Sequence, residues 1–202
     1  MRVSKEKAAG NRDALLQAAS RLFRRRGIDG VGVADIAREA GLTHGALYAH
    51  FPSKDALAAE AFCYGFNVNM AEFAAATGGR RLSFEDHLDG LFSPDRRDAV
   101  ETGCPLGASV SEIGRQGCAI SGSFTRAFEE MVAMVERSLA DRLPAPERRR
   151  LAVATVTAQI GAIAVSRGVA KTDMALSDEA LQAVRETIDA ALTAVTARSG
   201  SD

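Results

Sequence analysis

Apolar residues recur along this chain at spacings of three and four, with no sustained apolar–polar alternation. The periodicity therefore predicts helices throughout and no strands. Leu15, Ala19, Leu22 and Phe23 form one stripe, in a first helix capped by Asn11 and closed by Gly27 after Arg26. A second helix over 33–40 turns Val33, Ile36, Ala37 and Ala40 inward, and Gly41 makes a turn. A third, over 44–50, has Thr43 as N-cap, Leu47 and Phe51 on its inner side and Pro52 as its stop. Ser53 caps a fourth helix reaching about residue 76, with Asp55 in its first turn where the helix dipole favours an anion, before Gly78 and Gly79. Further helices are expected over 83–92, 105–114, 123–142, 147–167 and 178–197, the last capped by Ser177. The segment SPDRRDAVETG reads as a polar loop and Leu143-Pro144-Ala145-Pro146 as a break. The fold class is all-α, with about nine helices.

The stretch VADIAREAGLTHGALYAHFPSK, residues 33–54, is the most specific pattern in the chain. A short helix, a glycine turn, a second short helix and a Pro-Ser stop make a helix-turn-helix, the unit that lays one helix in the DNA major groove. Gly41 permits the positive φ of the turn. Gly45 and Ala46 carry little side chain, so the second helix can approach DNA closely, while Tyr48 and His50 place hydrogen-bonding groups toward phosphates.

The run GLTHGALYAHFPSKDAL (41–57), with AASRLFRRRGIDG and VADIAREAG before it, resembles the TetR family of bacterial transcription regulators. The resemblance covers roughly the first 60 residues. It implies a DNA face of Gly32, Thr43, His44, Gly45, Tyr48, His50 and Lys54, with Thr43, His44 and Gly45 at base edges and the others positioning. Two departures stand out: Gly32 occupies an N-cap where the family usually has Ser or Thr, and Ala49 is small where the family often has a larger polar residue. The resemblance also implies residues 1–52 as the DNA-binding domain and 53–202 as an effector-binding and dimerisation domain. The partners it implies are a double-stranded operator, a second copy of the chain and a small-molecule effector.

Charge sharpens this picture. The chain's net charge is −1, yet residues 1–26 hold eight Lys and Arg against Glu6 and Asp13, a net of +6 that leaves −7 for the rest. A basic end on an acidic body suits a polyanion at the N-terminus only. No apolar run of the roughly 20 residues that span a bilayer is apparent, nor a signal peptide, so a cytoplasmic location and reduced thiols are expected. The spacing of Cys63, Cys104 and Cys118 matches no zinc pattern, and no cofactor is implied.

The C-terminal body is less specified. Thr155 to Ala170 is nearly all small and apolar; with the final helix it suits a four-helix interface around a two-fold axis. Val156, Ile160, Ile163, Leu181, Val184, Ile188 and Leu192 are the residues expected there, as interface or as core. Phe66, Met70, Leu88, Phe92, Cys104, Phe124, Phe128 and Met131 are the expected lining of a hydrophobic effector pocket. Cys104 at a helix start reads either as a small buried residue at a cap or as a thiol sensing oxidants or electrophiles; Cys63 and Cys118 read as core fillers. An enzyme is not indicated: two of three histidines lie in the DNA motif, and Asp86, His87 and Asp89 read as a surface helix. The function expected is a repressor released from a palindromic operator by a small hydrophobic ligand. The alternatives are release through Cys104 chemistry, or regulation without a ligand.

Overall fold

Ten helices follow one another in the computed structural model, which describes residues 5–199. They are α1 (Lys5–Arg26), α2 (Val33–Glu39), α3 (His44–His50), α4 (Lys54–Thr77), α5 (Phe84–Leu91), α6 (Pro94–Asp98), α7 (Pro105–Ile113), α8 (Cys118–Ser138), α9 (Ala145–Val169) and α10 (Met174–Ser199). No strand occurs among the described residues. Arg2 of the basic N-terminal cluster lies outside them.

Several boundaries differ from the sequence expectation for identifiable reasons. α1 begins well before Asn11, because Lys5 to Ala9 are good helix formers and carry the helix through Gly10. The expected polar loop contains α6: the Ser93 hydroxyl accepts from Arg96 N, Pro94 opens the helix and Asp95 sits in its first turn. α8 starts at Cys118 rather than 123, and Ser123 is a buried helix residue whose hydroxyl bonds back to Ala119 O. α10 starts at Met174, with Asp173 accepting from Leu176 N, so Ser177 is interior rather than a cap.

The chain packs as two compact units, one of residues up to Ala71 with Val100–Arg126, the other of Glu72–Ala99 with the remainder. In the first, α1, α2 and α3 bury Leu15, Leu22, Phe23, Ile36, Leu47 and Phe51, and α4 adds Leu57 and Phe62. Gly27 closes α1 at φ +76, and the Glu112 carboxylate of α7 accepts from Ile28 N at 2.7 Å. The positive φ requires glycine there, and a Cβ would also displace that carboxylate from its bond to Ile28. Arg24 donates to the carbonyls of Gly103 at 2.7 Å and Thr102 at 3.3 Å. The Glu112 bond holds the loop that leads into α2, and the Arg24 bonds hold the one that leads into α7.

In the second unit α9 and α10 form an antiparallel pair around Val156, Ile160, Ile163, Leu181, Ile188 and Leu192. Among the described residues α9 is the one helix long and apolar enough to cross a membrane, a stretch the sequence reading did not expect. Its apolar side is covered by the unit's own core, which accounts for its composition without a bilayer. Two arginines tie α6 to α9 and to the start of α10. Arg97, 4% exposed, donates to Asp98 at 2.7 and 3.1 Å and to Ser177 Oγ at 3.0 Å, and pairs with Asp178. Ser177 Oγ in turn donates to Ser166 O at 2.9 Å. Arg167 answers from α9, donating to the carbonyls of Arg97, Arg96 and Ala99.

His87 departs from its surface assignment. α5 turns Phe84, His87, Leu88 and Leu91 inward, a three-and-four spacing, which leaves His87 6% exposed and stacked on Phe73 at 5.9 Å. Burial pushes its imidazole below the ordinary 6.5; Asp86 opposes that shift and Arg137 adds to it. The folded state thus prefers the neutral ring. As pH falls below about 6.5 the unfolded chain takes up a proton that the folded one resists, so stability is lost down to the depressed folded value. The loss is at most about 1.4 kcal/mol per pH unit. His87→Phe should flatten the dependence of the urea midpoint on pH between about pH 7 and pH 5. An unchanged dependence in the variant would assign the effect to another group.

Candidate nucleic-acid interface

The site rests on α3, seven residues that the Thr43 hydroxyl caps by accepting from Ala46 N at 3.3 Å. Gly41, at φ +67, turns the chain between α2 and α3. Leu47 and Phe51 are fully buried and fix which side of α3 faces out. The outward side carries Thr43, His44, Gly45, Tyr48 and Ala49, all exposed. Tyr48 is 47% exposed, too open for a packing residue of its size, and its ring meets His44 edge-on at 5.0 Å and 66°. The ring pair presents imidazole and phenol together on one strip of surface. His50 and Lys54 flank it half-buried, His50 beside Phe51 and Lys54 opening α4 after the Ser53 hydroxyl has accepted from Ala56 N.

Gly32 is the exposed N-cap of α2, in extended conformation with no side-chain bond to the helix. The surface therefore lacks the hydroxyl expected from the family resemblance. The head also has a cation that sequence reading passed over: Arg38, on the outward side of α2, is paired with Asp35 and its side chain is 75% exposed. Position in the helix was its only signal, two turns ahead of the reading residues and off the apolar stripe.

The comparisons bear on this surface directly. The model of bacterial regulatory proteins of the tetR family matches residues 15–61, the segment that holds α2 and α3. An uncharacterized HTH-type transcriptional regulator of Mycobacterium tuberculosis is 27% identical over 171 residues, covering 78% of this chain and 84% of that one. The HTH-type transcriptional repressor BepR of Brucella suis is 44% identical over 54 residues, 27% of this chain and 26% of that one. A TetR transcriptional regulator from Chloroflexus aurantiacus superposes with a TM-score of 0.73 at 22% identity, over 93% of this chain and 96% of that one. Residues 15–61 thus carry the tetR-family segment, and what these similarities support is a DNA-binding transcriptional regulator rather than an enzyme.

The other residues singled out in the sequence are placed as follows. Val156, Ile160, Ile163, Leu181, Ile188 and Leu192 are buried within the chain, and Val184 is half-buried. The side of α9 left open is a neighbouring one: Ala154, Thr157, Gly161, Val165 and Gly168, small and uncharged. α10 leaves open Ala183, Thr187, Ala190 and Ala194 in the same way.

Of the expected pocket residues, Phe66, Met70, Cys104 and Phe124 belong to the first unit, Leu88, Phe92, Phe128 and Met131 to the second. Phe66, Cys104, Leu88, Phe92 and Met131 are buried; Met70, Phe124 and Phe128 are half-buried. An open cleft of about 380 Å³ lies in the first unit, lined by Leu16, Ala59, Glu60, Cys63, Tyr64 and Arg126 among others, and by none of the expected eight. Cys104 is the N-cap of α7 with its thiol enclosed, whereas Cys118 is exposed and Cys63 half-buried, so those two are not the core fillers anticipated. Sequence reading also passed over Gln159. It lies within the apolar run of α9, 1% exposed, and its side-chain carbonyl has no hydrogen-bond partner. A buried unsatisfied acceptor is costly in an apolar interior.

Proposed function

We propose that this protein is a cytoplasmic, dimeric repressor of the TetR family that a small hydrophobic ligand releases from a palindromic operator. The observation that carries the reading is the outward strip of α3. His44 and Tyr48 stand exposed as a ring pair on a helix whose opposite side is locked into the core. Residues 1–52 read DNA in this proposal and 53–202 supply dimerisation and effector binding. Thr43, His44 and Gly45 meet base edges, and Tyr48, His50, Lys54 and the Gly32 backbone position the head on phosphates. The second copy docks on the open small-residue sides of α9 and α10, where close helix approach is sterically free. The effector is held by the apolar side chains Leu88, Phe92, Phe128 and Met131, with the Gln159 carboxamide as a polar group able to fix its orientation. The repressor named among the relatives, BepR, supports the sign of regulation. Enclosure of the Cys104 thiol favours a ligand over thiol chemistry as the releasing event.

Footprinting of the DNA upstream of the protein's own gene tests this. Two protected half-sites about one helical turn apart, or a multiple of it, are expected, with protection lost on adding an apolar effector. No protection at any salt concentration would remove the operator reading, because specific contacts outlast the electrostatic part of binding as salt rises.

A further inference from the structure

The open cleft of the first unit, about 380 Å³, has the size of a small-molecule site. Leu16 of α1, Ala59 of α4 and Ala119 of α8 give it apolar walls on three sides. The guanidinium of Arg126 lies across it, donating to the Ser123 hydroxyl at 3.1 Å and reaching the Cys63 thiol at 3.8 Å. Ser123, 2% exposed, donates in turn to Ala119 O at 3.3 Å, so a buried side chain fixes where the cation sits. Among the described residues no carboxylate pairs with Arg126; its side-chain partners are a hydroxyl and a thiol, both weak acceptors. The carboxylate that does line the cleft, Glu60, is taken up by Arg12 of α1.

We propose that this cleft binds a small organic monoanion, an apolar carboxylic acid whose carboxylate pairs with Arg126 while its body lies along Leu16, Ala59 and Ala119. The planar fork of arginine matches a carboxylate through two parallel N–H···O bonds, which a thiol cannot offer it. A single cation with Glu60 in the same lining suits a monoanion; a dianionic phosphate would carry a second charge with no partner. None of the eight residues expected around an effector lines the cleft, so this site stands apart from the effector reading. α1 also packs against α2 and α3, so an acid held here stiffens the unit that carries the reading helix.

The test uses the full-length protein with 2-naphthoate and its neutral analogue 2-naphthamide. Cys63 lines the cleft, so its alkylation by iodoacetamide, followed by peptide mass spectrometry, reports occupancy at that place. Cys118, exposed and outside the lining, is the internal reference. Saturating 2-naphthoate should slow alkylation of Cys63 about 5-fold or more, leave Cys118 unchanged and raise the melting temperature. The amide should need a concentration about 10-fold higher, because it lacks the charge. Arg126→Gln should raise the half-saturating concentration of 2-naphthoate about 10-fold as well, whereas Arg149→Gln, an exposed arginine paired with Glu129, should match wild type. Arg126 also touches the thiol, so each protein is read as the ratio of rates with and without ligand. Alkylation of Cys63 that millimolar 2-naphthoate leaves unchanged overturns the proposal. So does protection that the amide gives equally, or that Arg126→Gln retains in full. A melting shift without protection of Cys63 puts the acid elsewhere in the chain and overturns it too.

Discussion

Gly161→Arg should turn the protein into a helical monomer that binds its operator about 100-fold more weakly or worse. Gly161 lies in the middle of α9 on its open side, and a Cβ there meets nothing within 4 Å, so the chain itself has room for a long side chain. In the proposed dimer the second copy leaves no such room. Small residues at 154, 157, 161, 165 and 168 permit two helices to approach closely, and a guanidinium in the middle of that contact is both a steric block and a buried unpaired charge. The loss of DNA affinity follows from the joining of two heads. Each head alone makes a handful of phosphate and base contacts, and the dimer makes the second engagement intramolecular. Light scattering at micromolar concentration and titration of a duplex that wild type selects from a random pool read the two effects. A Gly161→Arg protein that remains dimeric would show that the second copy docks elsewhere.

The second large effect is expected at Arg97. Replacement by Met leaves the Ser177 hydroxyl and the Asp178 carboxylate without their donor, and it removes the charge that holds the Asp98 carboxyl below its usual range. Hydrogen bonds to charged groups of this kind contribute more than neutral ones, and breaking one partner of an enclosed pair leaves the others uncompensated. Because Asp98 and Asp178 are themselves half in solvent, the loss should fall short of a fully buried pair, at about 2–3 kcal/mol. Arg97→Lys keeps the charge but not the fork that reaches Asp98 and Ser177 together, and should lie between. The urea midpoint measures this, with the slope unchanged if the native state is otherwise intact. Arg149, whose bond to Glu129 is open to water, makes the contrast: Arg149→Ala should leave the midpoint where it is.

The DNA head was the legible part of this chain. Caps, turns and stripes there act within one or two helical turns. Thr43 and Ser53 cap as their positions suggest, Gly27 and Gly41 adopt positive φ, and Leu15, Leu22, Phe23, Leu47 and Phe51 are buried as their spacing requires. The body was less legible because its polar residues take distant partners. Arg97 and Ser177 looked like a loop cation and a helix cap, yet they meet across 80 residues of sequence. His87 looked like a surface residue among acids until α5 turned it onto Phe73.

Composition and periodicity were sufficient to establish an all-helical chain, and the motif at 33–54 its helix-turn-helix, since helix propensity, capping and amphipathic spacing are local properties of the chain. They could not choose which side of an apolar helix a protein covers with itself. α9 is apolar nearly all round, and only the packing of α10 against Val156, Ile160 and Ile163 leaves the Gly161 side open to another molecule. Nor could they separate a glycine that the fold demands from one that it merely tolerates. That distinction needs the atoms around each Cα, which surround Gly27 and are absent from the neighbourhood of Gly45.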